Sequence, residues 1–162
     1  MLKPFNQALD PDPRFASSSN AAGTGVMTFA DHYDDVAALR LPANAPDEVR
    51  TSFSRGLHSL LYAWFDYELM PLAEGQALAA VENAMRARVG PISPKTTNLS
   101  TFFDIAYKHK ILPRPDNTQP NNYDFVIMMR NQIAHGSTHI SSPPMVFTLF
   151  EICVDLIDEL FP

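Results

Sequence analysis

The stretch Asp47-Glu-Val-Arg-Thr-Ser-Phe-Ser-Arg-Gly-Leu-His-Ser-Leu-Leu-Tyr-Ala-Trp64 decides the class of fold. Val49, Phe53, Leu57, Leu60, Leu61 and Trp64 recur at intervals of three and four, the period of one helical face. The pattern predicts a helix from Asp47 to about Met70, where Pro71 either ends it or opens the next one. Working outward, Leu72 to Val89 reads as a second helix with Ala77, Leu78, Val81, Met85 and Val89 inward. Glu82 and Arg86 form an i,i+4 pair on it, in the favourable order. Gly90-Pro91 and Pro94 stop it. Asn98 or Ser100 caps a third helix that carries Leu99, Phe102, Phe103 and Ala106 and ends near Leu112-Pro113. After a Pro-rich and amide-rich loop, a fourth helix starts about Tyr123. A fifth has Pro144 near its first turn and Val146, Leu149, Phe150, Cys153, Leu156, Ile157 and Leu160 on one face. Glu151, Asp155, Asp158 and Glu159 give that helix an acidic, solvated side.

No segment sustains the alternation of a half-buried strand. The expectation is therefore all-α: an up-and-down bundle of four to five helices over residues 47–162, with a loosely ordered N-terminal arm over 1–46. Residues 1–27, rich in Pro, Ser, Asn, Ala and Gly, bury too little to offset ordering entropy. A short helix is expected near 28–40, with Thr28 and Asp31 as a capping pair, and Pro42 to Pro46 as a linker.

Composition narrows the function classes. A chain of 162 residues with 46% hydrophobic and 19% charged residues suits one soluble domain with a real core. Its net charge of −6 argues against broad, non-specific nucleic-acid binding but leaves room for a small cationic pocket. The single Cys153 excludes an intrachain disulfide and a multi-cysteine metal cluster, which fits a reducing compartment. On the apolar face of the last helix, it reads as inert core. No apolar run has membrane-spanning length, and Met1 to Asp10 lacks the apolar core of a secretory signal. The expected location is cytoplasmic, with no membrane partner.

The chemistry gathers in Arg130-Asn-Gln-Ile-Ala-His-Gly136. Gly136 should be the left-handed stop of the fourth helix. Asn131 and His135 are then i,i+4 neighbours on one face, with Arg130 on its flank. Arg130 is read either as a snorkelling or ion-paired side chain, with Glu82 as its structural mate, or as an anion-binding group. His135 lies at a helix end suited both to capping and to general acid–base work. His135 and His139 do not make a zinc site, because Gly136 breaks the helix between them and no HExxH arrangement is present. His32, His58 and His109 are isolated in the sequence and read as surface or satisfied core residues. Gly23 and Gly25 do not form a phosphate loop, and Ser17, Ser18 and Ser19 have no activating neighbour. Phe102, Phe103 and Tyr107 sit at core spacing, against a weaker base-stacking reading. No cofactor and no metal are expected.

The Arg130 to His135 string, in the penultimate helix of a small α-bundle, resembles the signature of the HEPN superfamily: Arg, four to six residues, then His, often with a polar residue after the Arg. The layout of Ala80 to Arg88 followed by Phe102-Phe-Asp-Ile-Ala-Tyr107 is also similar, so the resemblance spans roughly residues 47–161. It implies a homodimer that joins two motif helices around one cleft. It also implies metal-independent RNA cleavage, as in toxin–antitoxin, phage-defence or stress systems, with an antitoxin or regulatory protein as a further partner. Some members are inactive and bind nucleotides or proteins, which is the alternative. By motif position, Arg130 would hold the scissile phosphate and His135 would act as general base or acid. Asn131 would orient His135 or the phosphate, and Glu82 would position Arg130. Arg86, Arg88, Lys108 and Lys110 would extend the positive charge if they face the cleft. Members paired with a nucleotidyltransferase antitoxin often carry a Tyr two residues after the His. Ser137 stands there, so modification of such a Tyr is not expected.

Overall fold

The computed structural model describes residues 3–15, 25–95, 98–114, 121–136 and 138–162, and among these it is all-α, with no strand. Six α-helices run α1 Phe29–Ala38, α2 Asp47–Tyr62, α3 Met70–Val89, α4 Leu99–Lys108, α5 Asn122–Ala134 and α6 Pro143–Leu160. Ser17 to Ser19, Gly23, most of the Pro-rich loop before α5 and Ser137 lie outside the described residues.

α3 is the hub: α2, α4, α5 and α6 all pack on it. Its buried residues surround the axis, and Ala73, Ala77, Ala80 and Ala84 are among those fully buried. Small side chains at that spacing let neighbouring backbones approach closely. Gly56 of α2 uses the space, since a Cβ there would lie 3.1 Å from the Phe150 ring and 3.2 Å from the Ala73 carbonyl oxygen. α2 and α6 thus close on α3 with Phe53 and Phe150 in ring contact at 5.4 Å.

α2 ends at Tyr62, well before the Met70 read from the periodicity. Pro71 carries no amide hydrogen and its ring opposes the carbonyl four residues back, so one helix cannot run through it. Instead the chain turns at Ala63 to Asp66, where Asp66 accepts from the Glu68 amide at 3.2 Å, and α3 starts with Pro71 in its first turn. The turn buries Trp64 and Tyr67, which receive the N-terminal segment.

That segment is the main departure from the expected loose arm. Phe5 and Leu9 are exposed as expected, but Asp12 is only 5% exposed and Phe15 is fully buried. The Phe15 ring lies 5.1 Å from Trp64, 5.3 Å from His32 and 5.5 Å from Tyr67. Polar contacts fix the approach. The Asp12 amide donates to the Trp64 carbonyl at 2.7 Å, and Arg14 pairs with both Asp12 and Glu68 at 2.9 Å. The Arg14 guanidinium also covers the Tyr67 ring at 4.2 Å. Aromatic side chains can bury enough area to hold even a short Pro-containing segment in place. His32, one of the histidines read as surface or satisfied core, takes the core alternative: it belongs to this cluster and is fully buried, its Nε2 3.0 Å from the Leu60 carbonyl oxygen. Burial pushes its imidazole below the ordinary value, so it is held neutral.

Helix ends follow local chemistry. Thr28 and Asp31 form a reciprocal capping box on α1, and Asn98 and Asn121 cap α4 and α5 through their side chains. α4 stops at Lys108, short of Leu112, because Lys110 takes φ 57°. The Lys110 amide donates to the Tyr107 carbonyl and the Ile111 amide to that of Ala106, a Schellman closure with lysine in the left-handed position. An L side chain pays about 1 kcal/mol there. Lys110→Gly is therefore expected to leave stability unchanged or raise it by up to about 1 kcal/mol, the strain relief being offset by backbone entropy. Chemical denaturation measures it, and a loss above 1 kcal/mol would show that the lysine side chain supplies a contact of its own.

Candidate functional site

α5 leads into the site. Tyr123, Val126 and Met129 are its buried residues, which leaves Asp124, Met128, Asn131, Gln132 and His135 facing outward. Tyr123 is anchored at the other end, where its hydroxyl donates to Glu159 of α6 at 3.1 Å. Burial and the neighbouring Glu159 carboxylate push that phenol up to about 12. His135 is the C-cap residue, its amide donating to the Asn131 and Ile133 carbonyls. Gly136 follows with φ 70° and donates to the Ile133 carbonyl at 3.1 Å, the left-handed stop.

Arg130 leaves this exposed face and turns toward α3. Its Nε donates to Glu82 Oε1 at 2.8 Å, with the two side chains 40% and 29% exposed. Glu82 thus pairs across the helices with Arg130, and among the described residues it makes no ion pair with Arg86, the partner suggested by i,i+4 spacing. The reason is geometric: Gly75, Leu78 and Ala79 leave a shallow depression of about 180 Å³ between α3 and α5, and Arg130 lies across it with Ile133 and Ala134. The pairing uses one nitrogen of a five-donor fork, so the terminal guanidinium nitrogens remain free of any described partner. The His135 ring and the Asn131 amide likewise make no hydrogen bond to a described residue.

α4 runs antiparallel to α5. Tyr107 near its end meets Tyr123 at 5.3 Å, while Asn98 and Ser100 at its start meet Arg130 and Asn131 around a recess of about 110 Å³. Lys108 and Lys110 therefore stand at the opposite end of α4, about 15 Å from the recess, and do not extend its charge. Arg86 lines a separate open groove with Asn83, Pro91 and Phe102. Phe102 and Phe103 are 2% exposed and belong to the core, which leaves no ring face for a base.

The loop after the motif is tied down by residues the sequence patterns did not single out. Glu74 of α3 is buried and hydrogen-bonds the Ser141 side chain, and the Tyr67 hydroxyl donates to the Ser141 carbonyl at 3.0 Å. Burial pushes the Glu74 carboxyl up, opposed by Ser141 and by the charge of nearby His139. His139 is thus placed near Glu74. Among the described residues no group of three or more His, Cys, Asp or Glu is arranged to hold a metal ion. Cys153 is fully buried, and burial raises its thiol, leaving it protonated. No helix is long and apolar enough to cross a membrane among the described residues.

Comparison with family models, with curated proteins and with solved structures finds no match, so the site's reading stands on its own geometry.

Proposed function

We propose that this chain is a HEPN-like, metal-independent endoribonuclease whose working groups are Arg130, Asn131 and His135. The observation that carries the reading is the half-exposed Arg130 guanidinium, oriented by Glu82 and flanked on the same helix end by Asn131 and His135, whose side chains make no hydrogen bond to a described residue. A permanent cation fixed by one nitrogen, with its fork open, suits a phosphodiester. In transesterification the ribose 2′-oxygen attacks phosphorus, the bond to the 5′-oxygen breaks, and a 2′,3′-cyclic phosphate and a 5′-hydroxyl result. His135 would take the 2′-hydroxyl proton, and His135 of a second copy would return one to the leaving oxygen. Arg130 would stabilise the charge that builds on the phosphoryl oxygens. The homodimer, a cytoplasmic setting, a role in defence, stress or toxin–antitoxin control, and an antitoxin or other regulatory partner belong to the same reading.

The test is incubation of the purified protein with RNA in EDTA. The wild type should cut internally and leave 2′,3′-cyclic phosphate ends, and His135→Ala should not. Equal activity in the two would exclude this chemistry. The Glu82–Arg130 pair also favours a second reading, an inactive HEPN-like nucleotide-binding or protein-interaction module in which the pair ties α3 to α5. That reading is sustained if the wild type leaves RNA intact.

A further inference from the structure

The recess beside Arg130 has a chemistry that the motif alone does not reveal. Its described lining consists of Asn98, Leu99, Ser100, Ile127, Arg130 and Asn131, and no acidic residue is among them. The Asn98 side-chain oxygen is already occupied: it accepts from the Ser100 amide at 3.0 Å and from the Ser100 hydroxyl at 2.9 Å. That commits the acceptor end of Asn98 and the hydroxyl hydrogen of Ser100 to each other, which leaves the Asn98 amide N–H groups as what that side chain can offer a ligand. Arg130 adds terminal nitrogens that no described residue engages, and Asn131 an amide whose orientation nothing described constrains. The described balance is toward donors, and its one positive charge, Arg130, is already paired with Glu82 through Nε at 2.8 Å. Its volume of about 110 Å³ is that of three to four water molecules, the scale of a phosphoryl group. A donor-rich recess of that size, beside a guanidinium with further N–H groups to offer, suits an oxyanion better than a metal ion or an amine.

We propose that this recess seats the phosphate that Arg130 handles and that Asn98, on a different helix from the motif, is a further phosphate-binding residue. The identification of that phosphate as part of an RNA strand rests on the ribonuclease reading; the oxyanion site itself does not. The seat also explains the spacing on α5. Asn131 and His135 are four residues apart, about 6 Å along the axis, a gap that one ribose spans. A phosphate in the recess would direct its sugar along α5 toward the imidazole.

Asn98→Asp is the decisive variant. Aspartate caps α4 as well as asparagine does, so folding is retained while a negative charge enters the recess. Asn121→Asp makes the same change at the cap of α5, away from the recess, and serves as the control. Inorganic phosphate is titrated into labelled protein while the side-chain amide signals of Asn98 and Asn131 are followed by NMR. A non-cleavable 2′-deoxyoligonucleotide is titrated by fluorescence anisotropy. Saturable shifts of both amides are expected. Asn98→Asp should weaken phosphate and oligonucleotide at least about tenfold, and lower the salt dependence of the oligonucleotide by about one charge, whereas Asn121→Asp changes neither. Absence of phosphate-induced shifts, or equal affinity in Asn98→Asp, overturns the site. Weakening of phosphate alone overturns its assignment to a strand. The two proposals fail separately: lost cleavage in His135→Ala with normal binding in Asn98→Asp keeps the ribonuclease and removes the recess, and Asn98-dependent phosphate binding without any cleavage does the reverse.

Discussion

Phe15→Ala is expected to lower the unfolding free energy by about 3–5 kcal/mol, the range for removing a fully buried phenyl ring. The ring has no exposure and touches three aromatic neighbours that come from α1 and from the turn between α2 and α3. Its removal leaves His32, Trp64 and Tyr67 around a cavity that those rings, held by their own helices, cannot collapse to fill. Urea denaturation measures the loss, and Phe5→Ala, at a position 97% exposed, is the matched control with no expected change. A loss below 1 kcal/mol for Phe15→Ala would mean that the N-terminal segment leaves its seat in solution. The polar half of the same seat predicts a pH effect. Side-chain hydrogen bonds from Arg14, with backbone amides of Arg14 and Tyr67, hold the Asp12 carboxyl down from 3.8 to about 2. A depressed carboxylate stabilises the folded state fully above its unfolded value, near 4, and loses that contribution as pH falls through about 2. Acid unfolding followed with wild type and Asp12→Asn should therefore show a stability difference that is constant near neutrality and shrinks between about pH 4 and 2. A difference independent of pH would remove the ion pair from the account. His32, held neutral by burial, adds acid sensitivity at higher pH in both proteins and cancels in the comparison.

Arg130→Ala is expected to reduce RNA cleavage in EDTA by about 10²–10³-fold or more, the scale for losing one preorganised donor to a developing oxyanion. Its effect on stability should be no more than about 1 kcal/mol, since the Glu82 pair is half-exposed and such pairs contribute little. That contrast separates the ribonuclease from a structural tie between α3 and α5. If Arg130→Ala unfolds the protein or cuts RNA as the wild type does, the catalytic role is excluded. Arg130→Lys should fall between, keeping the charge but losing the planar fork that can contact Glu82 and a phosphate together.

The helices were legible wherever periodicity and punctuation agreed. The stop at Gly136, the Thr28–Asp31 cap and the start of α6 at its prolines all follow from residues adjacent in the chain. The α2 boundary was not legible, because Trp64 continues the apolar spacing while serving a different packing partner. Nor was the seating of Asp12 to Phe15, since a short polar segment shows no period and its order depends on an aromatic pocket built from residues 32, 64 and 67. Arg130, Asn131 and His135 could be singled out, and Glu82 was readable as a mate for Arg130. Asn98 could be read only as a helix cap.

The sequence by itself determined an all-α chain and the placing of a cation, an amide and an imidazole at one helix end, because helical periodicity and a left-handed glycine stop are local properties. Only the tertiary structure decided that Glu82 faces Arg130 rather than Arg86, that Asn98 and Ser100 wall the recess, and that Phe15 enters the core. Those outcomes depend on which helices pack together, and packing is set by shape and burial across the chain, with no trace in the spacing along it.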